Sequence, residues 1–337
     1  MSDGTRLALI GCGRMAQGHV AQILRHQPTT PIPVVCEPSA QAFAEMLRIF
    51  SDAGAPPPVN EPDLARLLAA YADKLDAAFI VTPHAYHYEQ ASLCLEAGLD
   101  VLLEKPMVVS SAQAEALIET RDRTGGLLVV AFNGSLSPNI RYASNLLRSG
   151  ELGRVESIQA VVWEGWAGDK VGHWKQDPAI SGGGFMFDTG AHMLNTVADL
   201  AGEDFAEVAA WLDFRGGKVE LLGVVIGRLE SGALVTLHAC GTTMKTIGSQ
   251  VHVFCSAGII KTGVWGRFLE LQRPGDAQLT KVVPEAVGPV GGVWQQFLAV
   301  RRGDLANPSP PEIGLRMAKL WDAIKMSSER GGAQVAL

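Results

Sequence analysis

The chain has 337 residues, with 28 Lys and Arg against 35 Asp and Glu, for a formal net charge of −7. Hydrophobic residues make up 47% of the sequence, and the length is sufficient for two domains that each bury a core. An acidic chain without a Lys- and Arg-rich block lacks the charge pattern of proteins that bind nucleic acid or anionic membranes. We therefore expect neither nucleic acid nor membrane as a partner.

No apolar run approaches the roughly 20 residues that a membrane-spanning helix needs. The apolar residues before Gly11 are too few for a signal-peptide core, so we expect a cytoplasmic protein. The five cysteines are odd in number, widely spaced and free of any Cys-x-x-Cys pair. This pattern predicts reduced thiols rather than a disulfide framework, and we predict no metal site.

The first part of the chain alternates short apolar runs with amphipathic segments. The predicted strands are Leu7–Ile10, Pro33–Cys36, Ala77–Val81, Val101–Leu103 and Leu127–Phe132. The predicted helices follow Gly13 to about Arg25 and then cover Ala40–Phe50, Pro62–Ala70, Tyr86–Ala97 and Ala112–Thr124. Because strands that alternate with helices are typical of a parallel sheet, residues 1–132 are predicted to form a doubly wound α/β domain.

The second part has a different pattern, in which Gly-rich turns rather than helices separate the apolar runs. After a predicted helix at Pro138–Arg148, the predicted strands are Val155–Trp163, Glu207–Phe214, Leu221–Leu229, Ala233–Ala239 and Gln250–Cys255. A last predicted helix covers Leu315–Ser328. Residues 133–337 are therefore predicted to form an α+β domain with a large open, mainly antiparallel sheet.

A glycine-rich turn, Gly11-Cys12-Gly13-Arg14-Met15-Ala16, joins the first predicted strand to the first predicted helix. In the Rossmann fold such a turn lets the backbone approach a pyrophosphate, whose charge is stabilised at the helix N-terminus. The alternative is a purely structural turn. We expect Gly11, Gly13, Arg14 and Met15 to contact a dinucleotide.

Glu37 ends the second predicted strand, where a carboxylate accepts hydrogen bonds from the hydroxyls of an adenosine ribose. The alternative is a solvated carboxylate at the end of a strand. Residues 38–41 supply no cation, and a carboxylate repels a 2′-phosphate. The sequence therefore favours NAD over NADP.

Glu104-Lys105-Pro106 follows a predicted strand, at the edge where open α/β sheets bind ligands. A lysine in this place can present an ammonium group to a substrate oxygen. The alternative is an ion pair between Lys105 and a neighbouring carboxylate.

With these motifs, three others match a known pattern in order and spacing: Thr82-Pro83-His84 with His87, Gly182-Gly183-Gly184, and Asp188-Thr189-Gly190-Ala191-His192. The chain resembles the Gfo/Idh/MocA family of nicotinamide-dependent oxidoreductases. The resemblance implies that Thr82, Pro83, His87, Glu104 and Lys105 bind the cofactor. It implies that Lys105, Asp188 and His192 are catalytic, and that the substrate contacts Lys105, Asn133, Trp174, Asp188 and His192.

Physical chemistry supports part of this assignment. If a helix begins at Asp188, then Asp188 and His192 are four residues apart and share one face. An imidazole is suited to exchanging an alcohol proton near neutral pH. Asn195 departs from the family pattern, because many members carry an acidic residue there, and this puts the orientation of the substrate in doubt. Several tryptophans precede the glycines, and either sugar stacking or core packing explains them: Trp163, Trp166 and Trp174.

The predicted function is hydride transfer between NAD(H) and a secondary alcohol or ketone of a sugar, inositol or related polyol. One alternative is a non-catalytic sensor with the same fold, and another is an NAD-dependent glycosidase. The resemblance also implies a homodimer or homotetramer that buries the open sheet.

Overall fold

A computed structural model describes residues 4–284 and 292–337. Of these, 4–108, 112–131 and 292–312 form one compact unit, and 109–111, 132–284 and 313–337 form a second. The predicted domain boundary at residues 132 and 133 stays a prediction. The first unit also holds residues 292–312, which lie far along the chain from the rest of it.

The first unit contains a parallel sheet of six strands. The strands are β1 (Leu7–Ile10), β2 (Val34–Cys36), β3 (Val59–Asn60), β4 (Ala77–Ile80), β5 (Asp100–Leu103) and β6 (Leu128–Val130). They lie in the order β3-β2-β1-β4-β5-β6, with every pair parallel. The order reverses between β2-β1 and β4, so the ligand-binding edge of the sheet lies at the carboxyl ends of these strands.

Helices connect the strands of this sheet: α1 (Arg14–His26), α2 (Ala40–Asp52), α3 (Leu64–Tyr71), α4 (His87–Glu96) and α5 (Ser111–Thr124). The side chain of Ser39 accepts a hydrogen bond from the Ala42 N–H and so caps α2, and Asp63 caps α3 through the Arg66 N–H. The cap at Asp63 places the start of α3 slightly later than the predicted start at Pro62. Every residue of β1 and β4 is buried, as expected for strands covered on both faces.

The second unit contains a sheet of nine strands. They are β7 (Val155–Glu164), β8 (Phe205–Asp213), β9 (Leu222–Leu229), β10 (Leu234–Cys240), β11 (Ile247–Cys255), β12 (Gly258–Thr262), β13 (Leu269–Gln272), β14 (Thr280–Lys281) and β15 (Val335–Ala336). Their order is β14-β13-β12-β11-β7-β10-β9-β8-β15. Among the pairs in the described ranges, only β7 and β10 are parallel. The mainly antiparallel sheet is confirmed, although β12 to β15 were not predicted.

The remaining helices are α6 (Pro138–Arg148), α7 (Trp166–Asp169), α8 (Pro178–Ser181), α9 (Phe185–Asp188), α10 (Gly190–Ala201), α11 (Val293–Arg301) and α12 (Pro311–Glu329). Helix α10 packs on α6 and on β7, and all but one of its residues before Ala201 are buried. Nowhere in 4–284 and 292–337 is a helix long and apolar enough to cross a membrane.

Candidate functional site

The glycine-rich turn is built for close backbone packing. Gly11 has a φ of +92°, and a Cβ atom there would lie 2.6 Å from the Val81 carbonyl oxygen. Because only glycine tolerates both conditions, the turn brings the start of α1 close to the ends of β1 and β4. A side chain at Gly13, in contrast, would meet nothing within 4 Å, so the space in front of the helix is open.

The N-terminus of α1 fits an anion. No side chain in the described part of the chain caps it, and its first turn holds no acidic residue. The first N–H donated inside the helix is that of Gln17, to the Gly13 carbonyl at 3.0 Å. The N–H groups before it therefore suit a pyrophosphate. Arg14 and Met15, both predicted to contact the cofactor, are exposed beside this end of the helix.

Glu37 is buried and holds the turn in place. One carboxylate oxygen accepts from the Cys12 N–H at 2.7 Å, and the other accepts from the Ser39 N–H at 2.7 Å. Asn60 fixes the backbone of Glu37 by donating to its carbonyl oxygen and accepting from its N–H. A carboxylate oriented in this way keeps further lone pairs for ribose hydroxyls. The first unit therefore fits a dinucleotide.

His87 is fully buried, and both of its ring nitrogens face carbonyl oxygens. Nδ1 lies 2.8 Å from the Pro106 oxygen and Nε2 lies 2.9 Å from the Thr82 oxygen. Burial lowers the pKa of His87, so the neutral ring donates to one of the two carbonyls. The imidazole thereby links the Thr82-Pro83 turn to the loop that carries Lys105.

Glu104 pairs with a residue that the sequence did not single out. His19 of α1 lies 2.7 Å from one Glu104 oxygen, and the Lys105 N–H donates to the other at 3.0 Å. Burial would raise the pKa of Glu104, but the His19 hydrogen bond and the nearby charges lower it to about 2. The sequence signal was that His19 follows Ala16 by three residues and so shares the buried face of α1. Lys105 follows this pair, half-buried, before a cis peptide bond to Pro106.

Asp188 lies in the second unit and is 2% exposed. One of its oxygens accepts from the indole N–H of Trp166 at 2.9 Å and from the ammonium group of Lys175 at 2.6 Å. Asp188 ends α9, while His192 lies in the first turn of α10. The single helix considered from the sequence is therefore two consecutive helices, and Asp188 is held by charge and hydrogen bonding from outside both.

The three glycines before α9 allow close packing. Gly182 has a φ of +76°. A Cβ atom on Gly183 would lie 2.7 Å from the Trp321 side chain, and a Cβ atom on Gly184 would lie 2.0 Å from the backbone carbonyl oxygen of Glu220. Glu220 is 2% exposed. Its carboxylate accepts from the Gly184 N–H at 2.7 Å and from the Phe187 N–H at 3.2 Å. Glu220 therefore holds the N-terminal end of the helix that carries Asp188.

His192 lies between two aromatic rings. Its ring centroid is 6.3 Å from that of Phe132 and 5.8 Å from that of Trp265, with both pairs in edge-to-face geometry. The side chain is mostly buried, with 7% of the residue exposed. These rings restrict the imidazole to one orientation.

Asn195 belongs to a buried polar network. Its amide nitrogen donates to Ser135 at 2.6 Å and to Asp199 at 3.3 Å, and its oxygen accepts from Arg316 at 3.2 Å. Ser135 and Arg316 also donate to Asp199. The amide is thus engaged with the protein itself, which explains why a neutral residue stands here: Asp199 already supplies the negative charge.

The other predicted substrate residues lie in the second unit. Asn133 is exposed and follows Phe132, and Trp174 is half-buried with its ring 5.3 Å from that of His173. The ammonium of Lys175 lies 5.6 Å from the Trp174 ring centroid. Trp166 is fully buried, so for this tryptophan the core-packing interpretation applies.

The described residues contain no cluster of three or more His, Cys, Asp or Glu side chains that could hold a metal ion. The five cysteines are free. Burial raises the pKa of Cys12, beside the glycine turn, to about 12, so this thiol is unreactive at neutral pH.

Comparison with known proteins agrees with this architecture. Residues 5–132 match the model of the oxidoreductase family with an NAD-binding Rossmann fold, and residues 140–261 match the model of the GFO/IDH/MocA C-terminal domain. An inositol dehydrogenase homolog from Azotobacter vinelandii, solved with NAD⁺, has the same fold, with a TM-score of 0.85 at 19% identity over 100% of this chain and 98% of its own.

Two relatives are similar in sequence. A levoglucosan dehydrogenase of Pseudarthrobacter phenanthrenivorans is 25% identical over 66% of this chain and 59% of its own length. A scyllo-inositol 2-dehydrogenase (NADP(+)) of Bacillus subtilis is 23% identical over 77% of this chain and 71% of its own length. The chain thus spans about three fifths of the first of these relatives. Since both domain models match in order, the chain belongs to the GFO/IDH/MocA family of oxidoreductases.

Proposed function

We propose that this protein transfers a hydride reversibly between NAD(H) and a secondary alcohol or ketone of a sugar, inositol or related polyol. The observation that carries the proposal is that a chain matching both domains of the family has all three of Lys105, Asp188 and His192 in its sequence. The names of the relatives, a levoglucosan and a scyllo-inositol dehydrogenase, support a sugar or polyol substrate.

In the oxidative direction, His192 removes the hydroxyl proton and Lys105 stabilises the oxyanion that develops on the substrate. NAD⁺, held at the glycine turn and at Glu37, would supply the acceptor for the carbinol hydrogen as hydride. Asp188, held by Lys175 and Trp166, fixes the polar surroundings of the substrate. The aromatic rings beside His192 keep its imidazole in one orientation during proton transfer.

The proposed cofactor residues all lie in the first unit. The pyrophosphate would be held by Gly11, Gly13, Arg14 and Met15. The Glu37 carboxylate would accept hydrogen bonds from the ribose hydroxyls. The nicotinamide end of the cofactor would contact Thr82, Pro83, His87, Glu104 and Lys105. Because Glu37 is buried and its carboxylate faces the turn, a 2′-phosphate is disfavoured, and NAD is preferred over NADP. Asn133 and Trp174 complete the substrate contacts.

The proposal also covers assembly and location. Buried and exposed positions alternate along the strands of the second unit's sheet. The exposed face carries several apolar side chains: Trp211, Val224, Ile226, Leu234 and Phe254. Exposed apolar side chains grouped on one face are unfavourable in water, which supports a homodimer or homotetramer that covers them. We place the protein in the cytoplasm, without nucleic acid or membrane as a partner.

The test is incubation of the purified protein with NAD⁺ and a panel of polyols, sugars and glycosides, followed by NADH absorbance and by product analysis. Net NADH formation with a polyol or sugar is the expected result. Cleavage of a glycoside without net NADH would identify an NAD-dependent glycosidase instead. Binding of a sugar without either reaction would identify a sensor.

A further inference from the structure

The loop between β12 and β13 is anchored to the helix that carries His192. The Thr196 hydroxyl, one turn beyond His192 on α10, donates to the Val264 carbonyl at 2.8 Å. The Val264 N–H donates in turn to Ser249 at 3.0 Å. The loop lies outside the residues matched by the C-terminal family model, which end at residue 261.

Helix α6 holds the other side of this loop. The Asn139 amide donates to the Gly266 carbonyl at 2.7 Å, and the Ser137 hydroxyl donates to it at 3.2 Å. Gly266 has a φ of +63°, and a Cβ there would lie 2.2 Å from the Ser137 oxygen. Glycine is therefore required at this position, where the loop packs closely on Ser137.

One side chain of the anchored loop packs against the imidazole, and a second stacks on the first. The Trp265 ring contacts His192 with centroids 5.8 Å apart, and the Arg267 guanidinium lies 5.4 Å from the Trp265 ring centroid. Arg267 is exposed, and among the residues that the structure describes no carboxylate forms an ion pair with it. Stacking on Trp265 orders the guanidinium while its N–H donors stay available.

We propose that Trp265 and Arg267 select the substrate, with Trp265 packing against the sugar ring beside His192 and Arg267 binding an anionic group of the same molecule. This inference rests on the proposed function and adds the substrate class: sugars or polyols that carry a carboxylate or a phosphate. Both the carboxylate and the phosphate have two neighbouring oxygens that can accept two parallel hydrogen bonds from a guanidinium. A neutral sugar lacks this contact.

The experiment measures binding to the NADH-loaded protein by calorimetry, with probes matched in ring configuration. For the gluco, galacto and manno series, the neutral sugar, its uronate and its 6-phosphate are compared. In at least one series the uronate or the phosphate should bind at least about tenfold more tightly than the neutral sugar, and the stronger of the two identifies the anion. Higher salt should reduce the preference.

Variants test the residues. Arg267→Met should abolish the preference while the affinity for the neutral sugar stays the same, and Arg267→Lys should keep part of it. Trp265→Ala should weaken all the probes of a series. Arg154→Met is the matched control, because it removes an exposed arginine of the same unit that pairs with Glu156, and it should keep the preference.

The inference is overturned if no anionic probe binds better than its neutral partner, or if Arg267→Met keeps the preference. NADH formation without any anion preference overturns it but leaves the proposed function standing. Anion binding that depends on Arg267, without NADH formation from any compound, rejects the proposed function instead.

Discussion

Lys175 places its ammonium nitrogen 2.6 Å from the carboxylate of Asp188, and the two residues are 13 positions apart in the chain. The side chain of Asp188 is 3% exposed and that of Lys175 is 18% exposed, so water solvates the carboxylate poorly. A buried carboxylate without a charged partner is costly, so the ion pair stabilises Asp188 in the folded protein.

Lys175→Met should lower the free energy of unfolding of the second unit by about 2 kcal/mol, because it removes the charged donor of the buried Asp188 carboxylate. The measurement is urea unfolding followed by tryptophan fluorescence. Lys170→Met, a change of the same kind nearby in the chain, is the control and should shift the transition little. Equal transitions for the two variants would contradict the importance of the pair.

Glu220 predicts a pH dependence of stability. Burial raises the pKa of this carboxyl group from its usual 4.5 to about 7, against the lowering effect of its backbone hydrogen bonds. The folded protein therefore keeps a proton that the unfolded chain releases. The contribution of Glu220 to stability is present below pH 4.5 and is lost as the pH rises toward 7.

Glu220→Gln cannot ionise, so the parent protein should lose of the order of 3 kcal/mol relative to this variant between pH 4.5 and 7. The measurement is the unfolding free energy of both proteins at several pH values. Glu230→Gln, which removes an exposed carboxylate of the same unit, is the control. Parallel curves for the parent and Glu220→Gln would show that the side chain is charged throughout.

Cofactor choice should depend on Glu37. The parent protein should bind NADH at least about tenfold more tightly than NADPH, because the carboxylate repels the 2′-phosphate. Glu37→Gln keeps an acceptor for the Cys12 or Ser39 N–H and removes the charge. It should therefore narrow the difference in affinity between NADH and NADPH with little loss of stability. Glu37→Ala should narrow it as well. Fluorescence titration with both cofactors measures this, and tighter NADPH binding by the parent would refute it.

Lys105 and His192 should act on the transition state. Once a substrate is known, Lys105→Met and His192→Ala should each lower kcat by roughly a hundredfold or more, the scale expected for a positioned acid–base or oxyanion-stabilising group. NADH affinity should change little. His192→Asn should retain less than about a tenth of kcat, because an amide does not accept a proton at neutral pH. If the correctly folded variants turn over substrate at the parental rate, both residues serve only structure or sensing.

The exposed face of the second sheet should mediate assembly. Ile226 is 50% exposed, and its neighbour Val224 pairs directly with Trp211 across β9 and β8. Ile226→Glu places a charge in this apolar face and should convert an oligomer to a monomer in light scattering at micromolar concentration. Thr236→Glu, directly opposite Ile226 on the adjacent strand, should have the same effect. A parent protein that is monomeric at the same concentration would contradict the proposal.

The sequence by itself determined the folds of both units, because their signals are local. Alternation of apolar runs with amphipathic segments predicts a parallel sheet, and Gly-separated runs predict an antiparallel one. The turn at Gly11 and the motifs that resemble the family pattern could also be recognised from the sequence, because each is a short run of neighbouring residues. Strands β3 and β12 to β15 were missed, since short strands are defined by pairing with their neighbours rather than by their own composition.

Only the tertiary structure decided which groups hold the site residues. Glu104 pairs with His19 over 85 positions, Gly184 with Glu220 over 36, and Asn195 with Ser135 over 60. No periodicity of the chain encodes such pairs, because they arise where different elements pack against each other. The neutral Asn195 shows this most clearly: it departs from a family pattern in sequence, and its amide donates to the carboxylate of Asp199 beside it.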